Sequence, residues 1–171
     1  MSGPNGKSKL ESAAGHENDP RLEAAQKRLR ESASRAETLE AIREIVTNLL
    51  GCEEIGLFTL EHGKSGLFWS LGIDPQKHGN LESFADCALE RVRQGEYHIA
   101  RVSCEGHAGR LNPALRVFIP ICVNGQTVGV LVMLRLLPQK VGFDESDIQL
   151  VKLLSRESGR ALFDGSIGAE V

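Results

Sequence analysis

The segment from Leu115 to Leu136 constrains this chain more than any other. Leu115, Val117, Ile119, Ile121 and Val123 alternate over nine positions, which is the side-chain period of a β-strand. Asn124-Gly125 follows, and both residues tolerate the positive φ that a two-residue type I′ turn demands. On the returning strand Val128, Val130, Leu131, Val132, Met133 and Leu134 are apolar on both faces. Such a strand must be covered on both sides. The chain must therefore build a layered structure around this hairpin. With 171 residues, 41% of them apolar, it has material for one such domain.

The remaining elements read from spacing and punctuation. Residues 1–19 are small and polar, which predicts a disordered tail. Pro20 stands where a helix can begin. From Arg21 to Leu50 no Gly or Pro intervenes, and Leu22, Ala25, Leu29, Ala36, Leu39, Ile42, Val46 and Leu49 form one stripe, predicting a continuous helix over 21–50. Gly51 ends it. Glu53–Leu60 and Leu67–Leu71 read as strands joined by a glycine-containing turn at 62–66. Asn80 can cap a helix running to Gly95 through Leu81, Phe84, Ala85, Ala88, Leu89 and Val92. Tyr97–Val102 reads as a strand, and Ser103–Pro113 as a polar loop. Asp144, followed by Asp147 three residues on and flanked by Phe143 and Ile148, marks the start of a last helix to about Phe163. Residues 164–171 are expected to fray.

The order is helix, hairpin, helix, strand, loop, hairpin, helix. It fits an α+β domain over 20–163: a central antiparallel sheet with the terminal helices on one face. The irregular segments Gly72–Gly79 and Ser103–Pro113 are then available to roof the other face, a common way to make a small-molecule pocket.

Several function classes fall away. A net charge of −3 and a pI near 6.0 do not indicate a nucleic-acid surface. No apolar run approaches the roughly 18–20 residues that cross a bilayer. The first twenty residues lack the apolar core of a secretory signal, so the cytoplasm is the expected compartment. Cys52, Cys87, Cys104 and Cys122 include no CxxC pair, which predicts reduced and mostly buried thiols rather than a metal site or a disulfide framework. No phosphate loop, HExxH or GxSxG is present, so no catalytic residues and no metal are assigned.

Three stretches together resemble the GAF domain family. They are Phe118-Ile119-Pro120-Ile121 with Asn124-Gly125 and Val128-Gly129-Val130-Leu131; Phe143-Asp144-Glu145-Ser146-Asp147-Ile148 running into Leu150, Val151 and Leu154; and the N-terminal helix leading into Glu53–Leu60. The likeness covers about Leu39 to Phe163. It implies a six-stranded antiparallel sheet between a helical layer and a ligand-side layer, a sensory or regulatory role, and dimers made through the terminal helices. The family includes binders of cyclic nucleotides, bilins, haem and small metabolites, so the resemblance implies no one cofactor. The Asn-Lys of the cyclic-nucleotide binders is missing here, and helix capping accounts for Phe143, Asp144 and Asp147.

The candidate ligand residues are Trp69, Arg101, Cys104, His107, Arg110 and Arg116. The arginines, with His98 and His107, gather positive charge suited to an anion. Cys104-Glu105-Gly106-His107 sets an imidazole near a thiol, which lowers a thiol pKa. The helical stripe is longer than one small core can cover. Leu22, Leu29, Leu39, Ile42, Val46, Leu150 and Leu154 are accordingly the expected seam of a homodimer. The leading function is a non-enzymatic sensory module that binds a small molecule, contacts a protein partner, or both, with no output domain fused to it. One alternative is a cysteine-based redox enzyme or thiol sensor using Cys104. The other is a structural interaction domain with a filled pocket.

Overall fold

The computed structural model describes residues 19–84, 89–105, 111–136 and 143–163, and at 101–105, 111–115 and 136 it places the backbone. The expected N-terminal tail, apart from Asp19, and the expected C-terminal fraying lie outside the described residues. In chain order the elements are helix α1 (Pro20–Glu31), helix α2 (Arg35–Glu44), a π-helical turn (Ile45–Leu49), strands β1 (Cys52–Glu61) and β2 (Lys64–Leu71), and a 3-10 turn (Leu81–Ser83). Helix α3 (Leu89–Arg93), strands β3 (His98–Glu105), β4 (Leu111–Val123) and β5 (Gln126–Leu136), and helices α4 (Glu145–Glu157) and α5 (Gly159–Phe163) complete it.

The strands form one antiparallel sheet in the order β2-β1-β5-β4-β3. Five strands are described, against the six that the resemblance implied. Asn124 and Gly125 take φ of 52° and 79°, the positive values that a type I′ turn needs and these two residue types tolerate. A second tight turn at His62 (φ 52°) and Gly63 (φ 76°) joins β1 to β2, shorter than the expected 62–66 loop. The central strand β5 is covered on both faces. Leu131 and Met133 join the helix-side core with Ile55, Leu57, Val117, Ile119 and Ile121. Val130 and Val132 join a second core with Phe58, Leu81, Phe84, Val92, Ala100 and Phe118. Pro120 is tolerated inside β4 because the β3 pairing stops at His98–Phe118, leaving β5 as its one neighbour.

The single helix expected over 21–50 is broken. Ser32 Oγ donates to Leu29 O at 2.6 Å, Ser34 Oγ accepts from Glu37 N at 3.1 Å, and Ala33 N donates to the Glu37 carboxylate at 2.7 Å. Serine side chains have displaced the helical hydrogen bonds of one turn and capped the next. The break lets α1 fold back against α4 and α2. The residues expected at a dimer seam are packed within the chain. Leu29, Ile42, Val46, Leu150 and Leu154 are buried in the chain's own helix-side core, and Leu22 and Leu39 are partly buried against it.

Three more expectations change. Of the helix expected from Asn80 to Gly95, the described residues form a 3-10 turn and α3, with 85–88 outside them; Asn80 does cap, accepting from Ser83 N at 3.0 Å, but Phe84 turns extended at φ −101° and ψ 104°. The segment Ser103–Pro113 is not a loop over its ends. Ser103 pairs with Pro113, Cys104 with Asn112 and Glu105 with Leu111. Pro113 interrupts no third strand there, because β5 joins β4 only from Val117. The last helix bends at Ser158 into α4 and α5.

The start of α4 is capped as expected. Asp147 N donates to Asp144 Oδ1 at 2.8 Å, and Asp144 N donates to Asp147 Oδ2 at 3.0 Å, a reciprocal box. Arg21 of α1 adds a bond to Asp147 Oδ1 at 3.0 Å, while its guanidinium also donates to Leu49 O.

Candidate functional site

Among the described residues the sheet face away from α4 is covered thinly, and the chemistry there centres on Phe84. Tight turns and short elements bring the cover into place. Leu67 N donates to Gly79 O at 3.0 Å. Ser65 Oγ accepts from Leu81 N at 2.8 Å and donates to Glu82 at 2.8 Å. These bonds hold residues 79–82 along the β2 edge. Gly56 leaves room for Ile73, whose Cδ1 would stand 2.8 Å from a Cβ at that position. Thr127 Oγ1 donates to Val92 O at 3.1 Å and ties α3 to β5.

Phe84 thereby enters the second core edge-on to Phe58 and Phe118, both with ring centroids at 5.9 Å. His78 lies flat on it, 4.5 Å away with the ring planes 7° apart. The Arg116 guanidinium stands 5.9 Å from the Phe84 ring centre, within cation–π range. His98 stacks on Phe118 at 6.1 Å. One face thus gathers aromatic rings, two imidazoles and a guanidinium. Such a set can stack a planar group and neutralise an anion.

The sequence-predicted residues divide. Arg116 is on this face. Trp69 is not. It pairs with Leu57 and packs against the helix-side core, because β2 carries one extra residue at Phe68 between the Leu57–Trp69 and Phe58–Leu67 pairs. One inserted residue turns the next side chain to the other face. Arg101 and Cys104 sit on β3 opposite Leu115 and Asn112. His107 and Arg110 lie outside the described residues, as does Cys87. His78 and Phe84 were missed as site residues: the first had no partner close in sequence, and the second fitted a helical stripe equally well.

Of the other thiols, Cys52 is buried, with its Sγ 3.2 Å from Glu54 O. Burial pushes its pKa up, which makes it a poor nucleophile at neutral pH. Cys122 is half-buried, 3.8 Å from Thr127 Oγ1 and 4.0 Å from Ser155 Oγ. Among the described residues no group of three His, Cys, Asp or Glu side chains is placed to hold a metal, and no helix is long and apolar enough to cross a membrane.

Comparison with known proteins agrees with this architecture. The GAF domain profile matches residues 32–162. No curated protein matches the chain significantly. Among solved structures, the GAF domain of an Acinetobacter phosphoenolpyruvate-protein phosphotransferase is 21% identical, covering 86% of this chain and 94% of that one at a TM-score of 0.55. The GAF domain of a two-component sensor histidine kinase from Bacillus halodurans is 14% identical, covering 81% and 99% at 0.56. A type II free methionine-R-sulfoxide reductase from Thermoplasma acidophilum is 16% identical, covering 83% and 94% at 0.54. At these identities the likeness is one of fold. With the profile spanning most of the sequence and the sheet and helical layer as described, the chain belongs to the GAF domain family.

Proposed function

We propose that this chain is a non-enzymatic sensory module. Its signal is a small molecule with a planar, anionic part, received where Phe84, His78, Phe118, His98 and Arg116 meet. Its output is protein contact made by the helical layer, with a second copy of the chain or another protein. The compartment we propose is the cytoplasm, where the thiols stay reduced.

One observation carries the reading: among the described residues the two sides of the sheet are closed unequally. Terminal helices bury one side, whereas a 3-10 turn, a five-residue helix and a stack of rings close the other. A ligand that takes the place of the Phe84 ring between Phe58 and Phe118 moves the cover and leaves the sheet intact. The fold shared with a sensor histidine kinase domain supports a sensory role.

The test is thermal unfolding of the full chain against a panel of nucleotides and aromatic carboxylates. A ligand held by the native state alone stabilises it by about 2.7 kcal/mol at a hundredfold excess over Kd. Arg116→Leu is expected to abolish the shift. If nothing in the panel raises Tm, and Phe84→Ala, which opens the face, also binds nothing, the reading fails. The thiol-chemistry alternative rests on Cys104 and on the fold of the sulfoxide reductase. Its test is Cys104→Ser assayed for sulfoxide reduction, and equal activity in both proteins removes it.

A further inference from the structure

On the helix-bearing side, where α4 passes the start of β3, Gly95, Glu96, Tyr97, Lys152, Ser155 and Arg156 line a cleft of about 500 Å³. That is within the range of small-molecule sites. It lies across the sheet from Phe84: Tyr97 packs against the helix-side core, and Ser155 stands by Cys122 on that side.

The cations of the cleft differ from four others in the helical layer. Arg21, Arg28, Arg30 and Arg43 each meet a carboxylate of the chain. Lys152 and Arg156, one turn apart on α4 and both exposed, make no ion pair among the described residues. The acid on the rim, Glu96, is drawn aside by Arg91 at 3.4 Å. Tyr97 is half-buried, and its hydroxyl has no hydrogen-bond partner among the described residues. Among the described residues the Ser155 hydroxyl meets only the weak Cys122 sulfur contact at 4.0 Å. Two cations and two hydroxyls therefore border one hollow with their donors unspent among the described residues. The Tyr97 ring and the methylene stems of Lys152 and Arg156 give its walls an apolar character.

We propose that this cleft binds a small amphipathic molecule, an oxyanion head on an apolar body. Lys152 and the Arg156 fork meet the head, since paired guanidinium donors match carboxylate and phosphate oxygens. Ser155 and Tyr97 add neutral donors, and the body lies on the Tyr97 ring. This site is separate from the Phe84 face, and neither depends on the other.

The experiment is amide NMR of the full chain titrated with benzoate, phenyl phosphate and, as the neutral control, benzyl alcohol. Saturable shifts are expected at Gly95, Glu96, Tyr97, Lys152, Ser155 and Arg156 with the two anions and not with the alcohol. Added salt should weaken the binding. Lys152→Met combined with Arg156→Met should raise Kd by about tenfold or more, and Tyr97→Phe by a smaller factor. Both cations are exposed, so the rest of the amide spectrum should stay in place and confirm that the variant is folded. Equal shifts with benzyl alcohol, unchanged affinity in the double variant, or no saturable shift at millimolar probe would each overturn the proposal. Shifts confined to the amides around Phe84 and Arg116 would also overturn it while supporting the other face.

Discussion

Asp147 has two structural roles, and only one can be read from its neighbours in sequence. It completes the box with Asp144, and it receives Arg21 from 126 residues away while itself 1% exposed. Asp147→Ala is expected to lower stability by about 2–4 kcal/mol, through the lost cap and an uncompensated guanidinium. Urea unfolding measures it, and a loss below about 0.5 kcal/mol would mean that water replaces the carboxylate freely. Cys52 makes a prediction in pH. Its ordinary pKa is near 9.0 and burial raises it, so the unfolded chain ionises first as pH climbs. The stabilising contribution is complete below pH 9.0 and is lost as pH rises above it. Compared with Cys52→Ala, the parent should lose stability more steeply on this alkaline limb. Parallel limbs would show that the thiol does not titrate differently in the two states. The Asp144–Asp147 box was legible because its members are three residues apart. The Arg21 contact was not, because nothing in local spacing links residues on different helices.

At the scale of elements, strands were read well and helix ends poorly. A period of two with a positive-φ turn leaves little freedom, so β4, the Asn124-Gly125 turn and β5 were all legible. The break after Glu31 was not, because Ser32 and Ser34 fit a polar helix face as easily as a cap. The usable signal was Ser34 with Glu37 three residues later, the capping-box spacing. Ser34→Ala is expected to cost about 1 kcal/mol, read as a lower urea midpoint at unchanged slope. Helix α5 depends on a close approach. A Cβ at Gly159 would fall 2.7 Å from Cys122 O and 2.7 Å from Val123 Cγ2. Gly159→Ala should therefore destabilise by about 1–3 kcal/mol, with hydrogen exchange rising first in 159–163. Protection unchanged in that segment would show that the strand gives way instead.

For the whole molecule, the apolar stripe of the N-terminal helices was legible but its partner was not. Periodicity reports that a face is buried and is silent on which surface buries it. Which residues share the Phe84 face was only partly legible, for a similar reason. Alternation from Leu67 puts Trp69 beside it, and the unpaired Phe68 sends Trp69 to the opposite face. Arg116, on β4, lies near the Phe84 ring; the charge grouping around 98–116 that marked it in sequence reaches residues outside those described. Leu29→Ala tests the internal assignment of the stripe. It should cost about 2–4 kcal/mol in the full chain and leave the mass from sedimentation unchanged. A changed mass at unchanged stability would return Leu29 to an intermolecular seam. The bonds at the two ends of the described chain have a mechanical consequence. Near Pro20, Ser146 donates to Asp19 and Arg21 grips Asp147; near Phe163, Arg35 donates to Leu162 O at 3.3 Å and caps the Phe68 ring that meets Phe163. A tug on either end is therefore resisted by the same yoke of helices, so tension applied at one end reaches the other without first passing through the strands.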